Sequence, residues 1–167
     1  MKTYLVTGAA GFIGAAIADA LLKLGNSVVT IDNLSTGRED IIPQGCIFIK
    51  GNDYDIEIIK QLDKYRFDSI IHIAGQSSGE ISFEKPVYDL QTNTQSTLML
   101  LDYAKRTGCK EFIFASSMSV YGDHEISLVS EDTLAVPKSF YAVGKLASEN
   151  YMRIYSCLLY TSPSPRD

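Results

Sequence analysis

Two stretches of this chain, far apart in sequence, have residue types and spacings that could do chemistry. Near the start, Thr7-Gly8-Ala9-Ala10-Gly11-Phe12-Ile13-Gly14 spaces three glycines as Gly-x-x-Gly-x-x-Gly between an apolar run and a helical pattern. Glycines there permit a tight turn and let backbone N–H groups approach a pyrophosphate, which the positive end of the next helix then holds. The spacing is not the commoner Gly-x-Gly-x-x-Gly, and glycines also mark plain turns, so context decides. The context is Asp32, 18 positions after Gly14. A carboxylate there accepts hydrogen bonds from ribose hydroxyls and repels a 2′-phosphate, which favours NAD over NADP. Arg38 argues the other way, because an arginine nearby can take a 2′-phosphate, but Asp32 is better placed by spacing. Near the far end Tyr141 and Lys145 stand four apart, on one face of a helix. A free phenol is a poor base at neutral pH, and a neighbouring ammonium favours its ionised form. By spacing alone an exposed Tyr–Lys pair is the better reading. The glycine turn and the Ser116-Ser117 pair move it towards catalysis.

The elements that must position these groups alternate. Residues 3–7 read as a strand, followed by the glycine turn and a helix whose Ile13, Ile17, Leu21 and Leu24 share one face. Gly25-Asn26 stops it. Strands are expected over residues 27–31, 46–50, 69–73 and 111–115. Ile56, Ile59 and Leu62 mark a short helix, a long one is expected over residues 86–107, and a last over 140–155. Short apolar strands alternating with helices imply βαβ units, hence an α/β fold with a doubly wound parallel sheet of Rossmann type. Ligand is then expected at the carboxyl ends of the strands, where all the candidate residues fall.

Bulk properties narrow the classes. The 167 residues, 46% hydrophobic and 21% charged, suit one globular domain. A net charge of -5 gives no basic surface for nucleic acid. No apolar run approaches the roughly 20 residues of a membrane span, and the N-terminus enters a strand pattern at once, without a signal peptide. Cys46, Cys109 and Cys157 show no metal spacing and no even framework, which reads as a reduced cytoplasmic protein with no metal site. The last eleven residues, 157–167, break the preceding helical pattern with a Ser/Pro-rich tail. They resemble, codon for codon, the translation of a transposase sequencing adaptor. The expectation is a natural sequence ending near Ser156, with residues 1–156 an incomplete NAD-binding domain cut before its substrate lobe, and inactive alone.

TGAAGFIG (7–14), DNLSTG (32–37), HIAGQSS (72–78), SSMSVYG (116–122) and YAVGK (141–145) together resemble the extended short-chain dehydrogenases/reductases, specifically the UDP-glucose 4-epimerase group. The resemblance runs in order through residues 1–155, and Tyr-x-x-x-Lys with an upstream Ser is its specific part. It implies that Tyr141 is the acid/base for a sugar hydroxyl. Lys145 would keep that phenol ionised and reach the nicotinamide ribose. Ser117 would hydrogen-bond the reacting sugar oxygen, with Ser116 and Tyr121 structural. Sugar dehydratases carry an Asp-Glu pair after this serine; Met118 and Ser119 cannot eliminate water, so redox epimerisation remains.

The resemblance also assigns NAD contacts. These are Gly8, Gly11, Phe12, Ile13 and Gly14 at the turn; Asp32, Asn33, Ser35, Thr36 and Gly37 in the next loop; and Ile73, Ala74 and Gly75 under the cofactor. Asn93 matches a family asparagine near the cofactor, or makes only an i,i+4 helix contact. Gln76 and Ser77 stand where the epimerases often carry a lysine. Gly51-Asn52-Asp53 departs from the usual Gly-Asp-hydrophobic sequence whose Asp meets the adenine amine: Asn52 could replace it through its carbonyl oxygen, or Asp53 by a one-residue shift. His72 reads as a satisfied core residue. The implied whole is a homodimeric NAD-dependent nucleotide-sugar 4-epimerase. The alternatives are a reductase or dehydrogenase using the same site, or a non-catalytic NAD-binding protein.

Overall fold

Five short parallel strands organise the chain. In the computed structural model, which describes residues 1–123 and 128–160 (the side chains of 158–160 excepted), these are β1 (Thr3–Thr7), β2 (Ser27–Asp32), β3 (Ile47–Lys50), β4 (Ser69–His72) and β5 (Glu111–Phe114). Their order in the sheet is β3-β2-β1-β4-β5, all parallel. The order reverses between β1 and β4, so the crevice for a ligand opens where Thr7 pairs with His72. This is the doubly wound sheet expected from the alternation.

Strands in the middle of such a sheet are covered on both faces and read as continuous apolar runs. Leu5, Val6, Ile70 and Ile71 are accordingly buried. Successive residues point to opposite faces: Leu5 and Ile70 join Val29, Ile31, Leu100 and Tyr103 in one core layer, while Val6 and Ile71 join Val28 and Ala18 in the other. Helix α1 (Phe12–Lys23) covers the second layer; α2 (Ile56–Gln61) and α5 (Ser96–Thr107) cover the first.

Several features depart from the sequence expectation, among them the α1 face: Ile17 and Leu21 pack on the core, but Ile13 and Leu24 are exposed, and Gly14 and Ala18 are the buried positions. A short helix, α3 (Gly79–Glu84), precedes the long one; its N-cap is Ser78, whose Oγ accepts from the Ile81 N–H at 3.2 Å. Six residues carry too little periodicity to be seen in sequence. The long helix of residues 86–107 is not uniform either. It consists of α4 (Pro86–Leu90), a π-helical turn (Gln91–Gln95) and α5, ended by Gly108 at φ +77°. Finally, α6 (Phe140–Tyr160) continues past residue 155 and into the tail expected to break it. Nothing in Cys157-Leu158-Leu159-Tyr160 opposes helix; the first breaker is Pro163, which with the rest of 161–167 lies outside the described residues.

Candidate functional site

The glycine turn is tight at every glycine that matters. Gly8 has φ +74°, and a Cβ there would stand 2.8 Å from the Ala74 nitrogen; at Gly14 it would stand 2.2 Å from the Gly8 carbonyl oxygen. Side chains would therefore drive the turn off the end of β4 and off its own helix. Gly11 is the N-cap of α1, and no side chain caps that end. The first-turn N–H groups, those of Phe12, Ile13 and Gly14, have no intrahelical partner. The Phe12 and Ile13 side chains face outward, 90% and 58% exposed, so their contribution to a bound anion comes from the backbone.

Asp32 ends β2 beside this turn. One carboxylate oxygen accepts from the Ala10 N–H at 3.0 Å and the other from the Leu34 N–H at 2.8 Å. The second bond closes over Leu34, held at φ +59°, a left-handed conformation that costs a bulky residue about 1–2 kcal/mol. Asn33 repeats the motif, its Oδ1 accepting from Ser35 N–H at 2.9 Å. Gly37 packs on Ala10, where a Cβ would come within 2.6 Å of the Ala10 carbonyl oxygen. Thr36 lies exposed between them. Arg38 donates from Nε and a terminal nitrogen to Asp40, at 2.9 and 2.5 Å. Its guanidinium is thus already engaged by a carboxylate, which weakens the one argument for a 2′-phosphate.

Asn52 and Asp53 diverge. Asn52 is half-buried and its Oδ1 accepts from Asn33 Nδ2 at 2.8 Å. Asp53 turns inward: it is 6% exposed, its Oδ2 has no hydrogen-bond partner among the described residues, and it lies 3.6 Å from His72 Nδ1. Burial raises its carboxyl to about 7, with Asp32 adding repulsion and Lys145 opposing. The same burial lowers the imidazole of His72 to about 3. The two are within ion-pair distance, yet the imidazole is uncharged, so no ion pair forms. His72 is fully buried and bonded on both nitrogens, to Thr7 Oγ1 at 2.7 Å and Ser96 Oγ at 3.3 Å. It is the satisfied core residue expected.

At the ends of β4 and β5 the remaining candidates meet. Lys145, on α6, is 4% exposed; its ammonium donates to the Ala115 carbonyl at 3.0 Å and sits over the Phe114 ring, 4.6 Å from the centroid. Burial lowers it to about 8, while Asp89 and Asp53 oppose that shift. Tyr141 is half-buried one turn earlier on the same face, its ring centre 5.8 Å from the ammonium. Gly75, beyond Ile73 and Ala74, leaves room for both neighbours: a Cβ there would be 2.5 Å from Asn93 Oδ1 and 3.4 Å from Lys145 Nζ. Asn93 is fully buried in the π turn. Its Nδ2 donates to the Gln76 carbonyl at 3.0 Å and to Asp89 Oδ1, the i,i+4 contact, at 3.1 Å. Its Oδ1 is buried with no hydrogen-bond partner among the described residues. Gln76 also donates to Asp89 Oδ1, at 2.8 Å, so this side chain braces α4.

Ser117 caps the short helical turn Met118–Tyr121, against which α6 packs. Its Oγ accepts from both the Ser119 N–H at 3.2 Å and the Ser119 hydroxyl at 2.9 Å. With both lone pairs used, Ser117 can act outward only as a donor. Ser116 donates to Glu149 instead, a structural bond between the segment after β5 and α6. The support from Ser119 was not legible in sequence, where that position only argued against dehydration. Gly144 was missed as well: it lets α6 approach the π turn, with a Cβ position 3.2 Å from Thr94 Oγ1. A glycine inside the YAVGK helical pattern was the available signal.

A bare turn, an uncapped helix end, the Asp32 carboxylate at the next strand's end and an orphaned buried amide oxygen beside a lysine together fit an extended dinucleotide. Among the described residues no cluster of His, Cys, Asp and Glu could hold a metal, and no helix is long and apolar enough to cross a membrane. Known proteins agree with the fold and motif. The chain is 37% identical over 161 residues to a UDP-glucose 4-epimerase of Mycolicibacterium smegmatis, covering 93% of this chain and 51% of that protein. It is 35% identical to another from Azospirillum brasilense, covering 89% and 43%. The crystal structure of a Thermus thermophilus UDP-glucose 4-epimerase in complex with NAD superposes with a TM-score of 0.89 at 35% identity, covering 95% of this chain and 52% of that one. An epimerase of Methanothermobacter thermautotrophicus superposes at 0.90 and 33% identity, covering 95% and 48%. The chain thus spans about half the length of the curated relatives it matches. With residues 4–157 matching its pattern, the chain belongs to the NAD dependent epimerase/dehydratase family.

Proposed function

We propose that the whole protein is an NAD-dependent nucleotide-sugar 4-epimerase, working by transient oxidation to a 4-keto sugar and re-reduction on the other face. The observation that carries this reading is the buried Lys145 ammonium, anchored by the Ala115 carbonyl, with Tyr141 on the same helical face. The glycine turn, Asp32 and Gly75 would hold the dinucleotide, and bound NAD supplies a hydride acceptor that returns what it takes.

The chain's own residues supply the proton chemistry. Tyr141 takes the proton of the sugar 4-hydroxyl and later gives it back. Lys145, still mostly protonated at neutral pH, favours the ionised phenol. Ser117, a donor by its hydrogen-bond count, orients the sugar oxygen. Met118, 65% exposed, carries no ionisable group, and Ser119 is bonded to Ser117; neither supplies the extra acid and base of dehydration.

The test is Tyr141→Phe in the whole protein. Turnover should fall by about 10²- to 10⁴-fold while NAD still binds. Unchanged turnover refutes the role of Tyr141, and net NADH accumulation with sugar substrate would instead indicate a dehydrogenase.

The proposal extends to a cytoplasmic homodimer. Cys46 and Cys109 form no disulfide, which suits a reducing compartment. A partly apolar hollow lined by Ile56, Leu98, Met99 and Tyr155, between α2, α5 and α6, offers a self-association face. Residues 157–167 are proposed to be foreign to the natural protein.

A further inference from the structure

Two amide side chains converge on one buried carboxylate just before the π turn. Asp89, in α4, is 1% exposed, and its Oδ1 accepts from Gln76 Nε2 at 2.8 Å and from Asn93 Nδ2 at 3.1 Å. Gln76 cannot reverse, because its own oxygen accepts from the Ser78 N–H. Asn93 cannot reverse either, since its NH2 group meets two acceptors, the Asp89 carboxylate and the Gln76 carbonyl. The other oxygen of Asp89 lies along α6, 3.7 Å from where a Cβ on Gly144 would stand. Gly144 thus lets this carboxylate approach α6 at the residue before Lys145.

The charges that reach the Lys145 ammonium come from several elements. Asp89 of α4 is the strongest of those that favour its proton, followed by Asp53 of the loop after β3. His72 of β4 is neutral. The end of β5 contributes the Phe114 ring and the Ala115 carbonyl. On α6 itself the Tyr141 ring centre stands 5.8 Å away, and Glu149 is engaged by Ser116. The two aspartates differ in what holds their charge. Asp53 has an orphaned oxygen and titrates at about 7, so at neutral pH it is only partly ionised. Burial raises Asp89 as well, but its two amide donors and the ammonium pull it back, and donors of that kind favour the ionised form. Asp89 is the carboxylate that stays charged.

We propose that Asp89 is a positioning residue of the reaction, acting through Lys145 as the fixed counter-charge that keeps the ammonium protonated beside Tyr141. The proposal rests on the epimerase reading above. Without that charge the buried ammonium gives up its proton at a lower pH, and the phenol of Tyr141 loses its neighbouring cation. Asp89→Asn isolates the effect: the amide oxygen still accepts from Gln76 and Asn93, so the shape and both bonds persist while the charge goes.

The experiment compares wild type and Asp89→Asn as whole proteins, with kcat on UDP-glucose read from about pH 6 to about pH 9. The ratio of variant to wild type should fall by about tenfold across that range, as a titration moved by one unit requires. A loss equal at every pH would mean that Asp89 only braces the turn, and would overturn the proposal. A second measurement does not depend on turnover. It follows Lys145 by 13Cε-lysine NMR in both coenzyme-free proteins, the signal being assigned by its absence in Lys145→Arg. The midpoint, about 8 in wild type, should lie at lower pH in Asp89→Asn; an unmoved midpoint overturns the proposal. A midpoint that moves in a protein unable to turn over nucleotide sugar supports the counter-charge and refutes the epimerase reading, which keeps the two failures apart.

Discussion

Removing the charge of Asp53 should stabilise the protein, and increasingly so as pH rises. The carboxyl is buried, its Oδ2 has no partner among the described residues, and its folded-state value is about 7 against 3.8 for an aspartate in water. A raised acid means that the folded state holds its proton longer than the unfolded chain does. The stability is fully present below about pH 4 and is lost as pH climbs to about 7. Three units at about 1.4 kcal/mol each give a loss of about 4 kcal/mol at pH 8. Asp53→Asn keeps the shape and removes the titration. Urea unfolding of the coenzyme-free whole protein at pH 5 and pH 8 should show the variant gaining on wild type by about 3 kcal/mol between those values. Titrating groups that do not feel Asp53 cancel in that difference. Parallel pH curves for the two proteins would refute the reasoning, because they would mean that Asp53 does not ionise in this window.

Ser119→Ala removes the hydroxyl that fills one lone pair of Ser117; kcat should drop by about tenfold with little change in KM, consistent with one lost hydrogen bond. Ser119→Thr should restore it, and equal loss in both variants would argue for a packing role instead. Sedimentation of the whole protein should give twice the chain mass, and Leu98→Asp, in the hollow between α2, α5 and α6, should shift it towards monomer; a monomeric wild type would remove the dimer.

The parts of the site visible in sequence are those whose chemistry is local. The glycine turn, Asp32 after the next strand and the Tyr141–Lys145 spacing each follow from one short segment and its backbone needs. The parts that were hidden depend on what packs across the sheet. The π turn at Gln91–Gln95 has no sequence periodicity of its own; it exists beside Gly144 and Ser148 of α6, which are some 50 residues away. Asn52 and Asp53 are neighbours of nearly the same chemistry. Only the structure separates them, leaving one half-buried beside Asn33 and turning the other inward against His72.

The buried polar groups under the site tie α6 to the sheet through the π turn. Thr7 Oγ1 accepts from the N–H groups of Ile73 and Ala74 at 3.2 and 3.1 Å, so its own proton must go to His72 Nδ1. That leaves His72 Nε2 as the donor to Ser96, whose hydroxyl in turn donates to the Thr92 carbonyl at 2.7 Å. The relay runs one way, from the strand before the glycine turn into the π turn, and it requires a neutral imidazole. The relay ends at that carbonyl, and two separate bonds tie the π turn to α6: the Asn93 carbonyl accepts from Ser148 Oγ at 2.9 Å, and Thr94 donates to the Gly144 carbonyl at 3.3 Å. Fully satisfied polar chains of this kind favour one arrangement over its neighbours. Here the arrangement fixes the helix carrying Tyr141 and Lys145 relative to the glycine turn, so the placement of those two side chains and of the turn is a single structural property.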